Sequence, residues 1–144
     1  MLTENQVIDA VCEFLKSNGW EILKKARTTQ KGNDIVASKE GSILKIEAKG
    51  ETSDLQGSAR YGKPFDGAQC RDHVANAFFS AAAAHQASGS YELIAGIALP
   101  MTPKHQTLIE HIKLALNKLE IAVFWVDKDE HVALAYEIPQ KIIQ

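Results

Sequence analysis

The stretch "KGNDIVASKEGSILKIEAKGE", residues 31–51, decides how this chain is read. Its runs "DIVAS" and "SILKIEAK" read as two strands joined at "KEG", the pattern of a hairpin. Asp34, Glu47 and Lys49 stand in these runs where more Val or Ile would be expected. Charges inside a half-buried hairpin cost stability unless they are paired, hydrogen-bonded or bound to a metal.

Side chains alternate along a strand, so Glu47 and Lys49 point one way while Leu44, Ile46 and Ala48 point the other. If Ile35 and Ala37 share the core face with Ile46 and Leu44, position 35 pairs with 46 and 37 with 44. A two-residue or four-residue loop centred on Glu40-Gly41 gives that register, whereas a three-residue bulged loop shifts it by one. Asp34 then lies directly opposite Glu47, and like charges so placed destabilise a sheet. A divalent cation removes the conflict, because carboxylates and backbone carbonyls are the hard oxygen ligands that Mg²⁺ prefers. The competing reading is a salt-bridge cluster on an exposed sheet face, worth about 0–1 kcal/mol.

Outward from the hairpin, Thr3 and Gln6 match a capping box, and Val7, Ile8, Val11, Phe14 and Leu15 recur at helical spacing up to Asn18-Gly19. Glu4 sits at the edge of this inward stripe. It reads either as a partner of the hairpin acids or as an acid suited to the helix dipole. "WEILKKAR" reads as a strand and "TTQKGN" as a turn-rich loop. Residues 50–67 hold four glycines and a proline without periodicity, a long loop of the kind that is functional or disordered.

Asp66 and Gln69 make a second capping box, opening a helix that runs to about Ser88 with Cys70, Val74, Ala77, Phe78 and Ala81 on one face. "YELIAGIAL" and "IAVFWV" are near-continuous apolar runs, as in strands covered on both faces. Between them Thr102-Pro103 starts a helix with Leu108, Ile109, Ile112, Ala115, Leu116 and Leu119 inward, so a parallel crossover is expected. "DKDE" turns into a last strand, "HVALAY". The order α-β-β-β-α-β-α-β-β predicts an α/β class with a mixed central sheet, as one domain over residues 1–144.

Composition sets the outer bounds. Two cysteines, Cys12 and Cys70, give no disulfide framework, so a reducing, cytoplasmic setting is expected. "MLTENQVID" has neither the basic start nor the apolar stretch of a signal peptide, and "AFFSAAAA" is too short to span a bilayer, so no membrane partner is expected. A net charge of −2 argues neither for nor against nucleic acid. Lys24, Lys25, Arg27 and Lys31 nevertheless face only Glu21 within residues 20–32, a basic stretch that suits phosphate or a solvated strand edge. The five histidines show no zinc spacing with the cysteines, and only His73 falls near the hairpin acids.

An acid-x-Lys triplet is common by chance. The context is what raises it: Gly32-Asn33-Asp34 opening a strand, the register, and a helix on either side. Over roughly residues 3–126, with its motif at 32–49, the chain resembles the PD-(D/E)xK, or restriction-endonuclease-like, nuclease superfamily. Asn33 stands where the family name has proline. The resemblance implies an αβββαβα core here extended by a C-terminal strand. It also implies that Asp34, Glu47 and the Ala48 carbonyl bind Mg²⁺, with Mn²⁺ as a substitute, while Lys49 orients or activates water. Glu4 matches the helix acid that many members add to the metal site. Gln69 matches the Gln of a Gln-x-x-x-Tyr motif found in some branches, although His73 replaces the Tyr.

The implied activity is Mg²⁺-dependent phosphodiester hydrolysis of nucleic acid, with DNA and internal cleavage the expected case. Arg27, Lys31, Arg60, Lys63 and Arg71 would hold the backbone, and Tyr61 could stack on a base. Specificity would come from core loops, a homodimer or another partner. The alternative function is a catalytically silent module of the same fold that binds nucleic acid or protein. Its expected mark, a missing acid or lysine, is not found here.

Overall fold

The computed structural model describes residues 1–26, 33–53, 56–59, 61–87, 92–135 and 142. Thr3 caps α1 (Glu4–Ser17) through a capping box with Gln6, and the chain turns at Asn18 into Gly19, whose φ is +86°. β1 (Glu21–Lys25) is shorter than the run "WEILKKAR" suggests, and its register slips between Ile22 and Lys24. The hairpin of β2 (Ile35–Lys39) and β3 (Ser42–Ala48) closes through Glu40 and Gly41. Both of these have positive φ, 48° and 85°, the two-residue turn that suits strand twist. Ile35 pairs with Ile46 and Ala37 with Leu44, the register expected from the apolar pattern.

The Asp66–Gln69 capping box opens α2 (Gly67–Gln86), which leads into β4 (Glu92–Pro100). Thr102 caps α3 (Pro103–Lys118), and β5 (Ala122–Val126) and β6 (Val132–Ala135) complete the sheet. Its six strands lie in the order β1-β2-β3-β4-β5-β6, with β3, β4 and β5 parallel and the outer pairings antiparallel. The class is therefore α/β with a mixed sheet.

Alternation of the central strands supplies two apolar faces. α1 packs with Ile35, Leu44, Ile46, Ala98 and Phe124, whereas α2 and α3 pack with Ile97, Leu99, Val123 and Trp125 on the other side. Ala115, expected inward, is exposed, because His105, Ile109 and Leu116 set the buried line of α3 and leave it to the side. Cys12 and Cys70 are free and buried. Among the described residues no helix is long and apolar enough to cross a membrane.

The segment after β3 is laced to its surroundings rather than irregular throughout. Thr52 bridges Thr3 and Ser53 bridges Tyr61, Glu51 N donates to Leu2 O at 2.8 Å, and Phe65 N donates to Glu51 O at 2.9 Å. Gly50 makes this possible. A Cβ there would meet Glu4 N at 2.4 Å and Thr3 C at 2.7 Å, backbone atoms with no freedom to move aside. Gly50→Ala should therefore lower stability by about 1–3 kcal/mol, the usual range for forced overpacking, as read by chemical denaturation. An unchanged midpoint would show that α1 does not depend on this approach.

Candidate metal and hydrolytic site

The ladder between β2 and β3 ends at Ile35 and Ile46, and Asp34 lies just outside it. Its main chain remains anchored: Asp34 N donates to Ile46 O at 3.1 Å and Asp34 O accepts from Ala26 N at 2.7 Å. β3 continues past this point, so the amide of Ala48 has no β2 backbone opposite. Asp34 Oδ2 accepts that N–H at 2.8 Å. Asp34 is thus 4% exposed, its carboxylate held by one oxygen at the open end of the hairpin.

Glu47 and Lys49 come from the same face of the chain, with Lys49 Nζ 3.6 Å from Glu47 Oε1 and both side chains less than a fifth exposed. Glu47 and Asp34 are also in hydrogen-bonding contact. Burial, followed by the charge of Asp34, pushes Glu47 up to about 7, and Lys49 offsets only part of this. Burial raises Asp34 as well, against the opposing effects of the Ala48 N–H, Lys49, Lys24 and the Glu47 hydrogen bond. The pair therefore holds a proton to higher pH than isolated carboxyls do.

These groups could hold a hard cation. Two carboxylates of adjacent strands converge, and the carbonyl of Ala48 lies on the same strand side as its N–H, towards Asp34. The fit is chemical as well. A buried acid pair with raised affinity for a proton is a pair that a divalent ion can neutralise.

Glu4 is half-buried in the first turn of α1, whose backbone abuts Gly50, one residue beyond Lys49. The close approach brings that helix end to the end of β3. Gln69 is engaged elsewhere: its Oε1 accepts from Asp66 N at 3.0 Å and closes the α2 cap. Arg71 lines a groove between α2 and α3 with Phe78 and Leu108, Lys63 is exposed, and Tyr61 is 47% exposed. Arg27, Lys31 and Arg60 lie outside the described residues.

His73, half-buried on α2, stacks edge-on to Phe65 at 4.7 Å, and burial and then the charge of Lys49 lower its pKa. His105 was not singled out by spacing, yet it is fully buried close to His73. The only signal available was its place three residues after the helix-capping Thr102.

Asp127, Asp129 and His131 also bring three possible ligand atoms together, away from the hairpin. Asp127 Oδ1 accepts from Asp129 N at 2.8 Å and His131 N at 2.9 Å, which accounts for this group as the turn between β5 and β6. No protein-family model, curated protein or solved structure matches the chain.

The raised acids set a pH dependence. A carboxyl whose folded pKa lies above its unfolded value of 4.5 favours the fold below that value and loses its contribution as pH rises towards about 7. Metal-free protein should lose stability across this window and then level off. Glu47→Gln should flatten the slope in thermal melts from pH 4.5 to 8. A wild-type melting temperature rising through that window would contradict the assignment.

Proposed function

We propose that the chain is a metal-dependent nuclease of the PD-(D/E)xK type that hydrolyses phosphodiester bonds, with DNA the first substrate to test. The observation that carries this reading is the convergence of the Asp34 and Glu47 carboxylates, both buried and both of raised pKa, with Lys49 against Glu47. Acids perturbed in this way concentrate at functional sites.

Asp34, Glu47 and the Ala48 carbonyl would hold Mg²⁺ or Mn²⁺, with Glu4, in the helix turn that abuts Gly50, as an additional acid. Such an ion supplies charge stabilisation at a phosphate and lowers the pKa of water. The rest falls to the chain. Glu47 gives up its proton when the site fills, so affinity for the ion should rise with pH through about 7. Lys49 then keeps its amine beside Glu47 as a donor that orients water or a phosphate oxygen. The amide of Ala48 keeps Asp34 from rotating, so the acid pair stays aligned.

Calorimetry should show Mg²⁺ or Mn²⁺ binding to wild type and its loss in Asp34→Ala. Equal binding by both proteins removes the metal site. In cleavage assays on single-stranded, duplex, flapped and four-way DNA with Mg²⁺, Lys49→Ala should lose about 10²–10⁴ in rate. It should do so with metal binding and melting largely intact. A folded Lys49→Ala that cuts at the wild-type rate would place the chemistry elsewhere.

A further inference from the structure

A cavity of about 250 Å³ lies beside the chain that leaves β3. Pro64, Phe65 and Cys70 wall one side, Pro103 and Lys104 at the start of α3 wall another, and Glu51 joins them from the exit of β3. Cys70 is buried, Phe65 and Glu51 are half-buried, and Pro64, Pro103 and Lys104 are exposed. The cavity therefore has a closed floor and an open mouth. Glu51 stands two residues beyond Lys49, at most about 7 Å away along the backbone, so the cavity adjoins the hairpin acids and their lysine.

Its walls are tied together before anything binds. Phe65 N donates to Glu51 O at 2.9 Å, Lys104 Nζ donates to Phe65 O at 3.1 Å, and the Phe65 ring stands edge-on to His73 at 4.7 Å. The exit of β3, the start of α3 and the body of α2 thus each hold Phe65. A preformed wall of this kind spares a ligand the cost of ordering it.

The lining selects the occupant. A helix start commonly attracts an anion, but this one has little left to offer. Pro103 has no N–H, His105 N is taken by Thr102 Oγ1 at 3.2 Å, and Gln106 N by Thr102 O at 2.9 Å. The Lys104 amine is engaged by Phe65 O, and Glu51 adds a negative charge. An anion is disfavoured. Prolines, an aromatic ring and a thiol suit a small, flat, neutral group, and a carboxylate beside them suits one that carries an N–H donor. The volume lies below the range of about 300–1,000 Å³ that holds drug-sized ligands, so one ring system fits rather than several.

We propose that this cavity takes one unpaired nucleobase bearing an exocyclic amino group, stacked against Phe65 and donating that N–H to Glu51. The nucleic acid served by the hairpin site is then single-stranded, or opened, next to the phosphate being attacked. That the base belongs to such a strand rests on the nuclease reading; the choice of base does not. Cytosine satisfies Glu51 through its N4 amino group, whereas thymine sets a carbonyl in that place, acceptor against acceptor.

NMR titration of the metal-free full chain with 2′-deoxycytidine or thymidine tests this with no phosphate present and no turnover. Deoxycytidine should shift the Phe65 ring and Lys104 amide resonances and bind about ten-fold more tightly than thymidine. Glu51→Gln, whose amide can donate to the thymine carbonyl, should bring the two nucleosides within about two-fold of each other. Phe65→Leu, which keeps an apolar wall without the ring, should weaken deoxycytidine binding about ten-fold. Should that variant fail to fold, Glu51→Gln decides alone. No shift at Phe65 and Lys104 with either nucleoside, or equal binding of both by wild type, overturns the proposal. A protein that selects deoxycytidine but cuts no DNA loses only the nuclease reading. One that cuts while neither resonance responds loses only the base pocket.

Discussion

The hydrogen bond from Ala48 N to Asp34 Oδ2, 2.8 Å long, is the constraint on which the site depends. It arises because β3 outruns β2: the backbone ladder stops at Ile35 and Ile46, and the next amide of β3 facing that side would otherwise be unpaired. A carboxylate is the natural cap for such an amide, since a charge-assisted bond is stronger than a neutral one. The same bond fixes one oxygen of Asp34. It also sets Asp34 against Glu47, the next side chain on that face, and so creates the electrostatic conflict that defines the site.

That conflict distinguishes the two original readings of the charged hairpin. An exposed ion-pair cluster would contribute little and would leave its acids near or below their ordinary values. Here Glu47 is pushed up to about 7 although Lys49 lies 3.6 Å away, so one lysine does not balance two buried carboxylates. The fold tolerates a charge deficit that a hydrophobic pair would avoid. Strongly perturbed acids of this kind concentrate where a protein binds or transforms a ligand.

Much of this was legible from local pattern. Alternation of Ile35, Ala37, Leu44 and Ile46, together with Glu40-Gly41, determined the register, and three capping residues located the helix starts. The opposition of Asp34 to Glu47 followed from that register. What pattern could not supply was long-range packing. Gly50 looked like one of several loop glycines, and only the backbone of Thr3 and Glu4 at its α-carbon explains it. Gln69 carried two roles that spacing cannot separate, and its side chain is used at the cap. His105 lies far from the hairpin in sequence, and its relation to His73 depends on how α3 meets α2.

The position of these groups follows from the direction of the strands. β3, β4 and β5 run parallel, so their carboxyl ends lie along one edge of the sheet. Each connection from one to the next must leave that edge and enter a helix, which brings the start of α3, with Thr102 and His105, to the end of β4. The chain leaving β3 passes Lys49 and Gly50 on the same edge, where Gly50 lets the start of α1 approach. Helix beginnings offer unpaired N–H groups and a positive dipole end, and strand ends offer side chains no longer committed to a ladder. Parallel sheets gather ligands at this edge for that reason. Asp34 meets Glu47 through the antiparallel hairpin, with Lys49 following directly after β3, and the parallel strands bring the start of α3 to the same edge of the sheet.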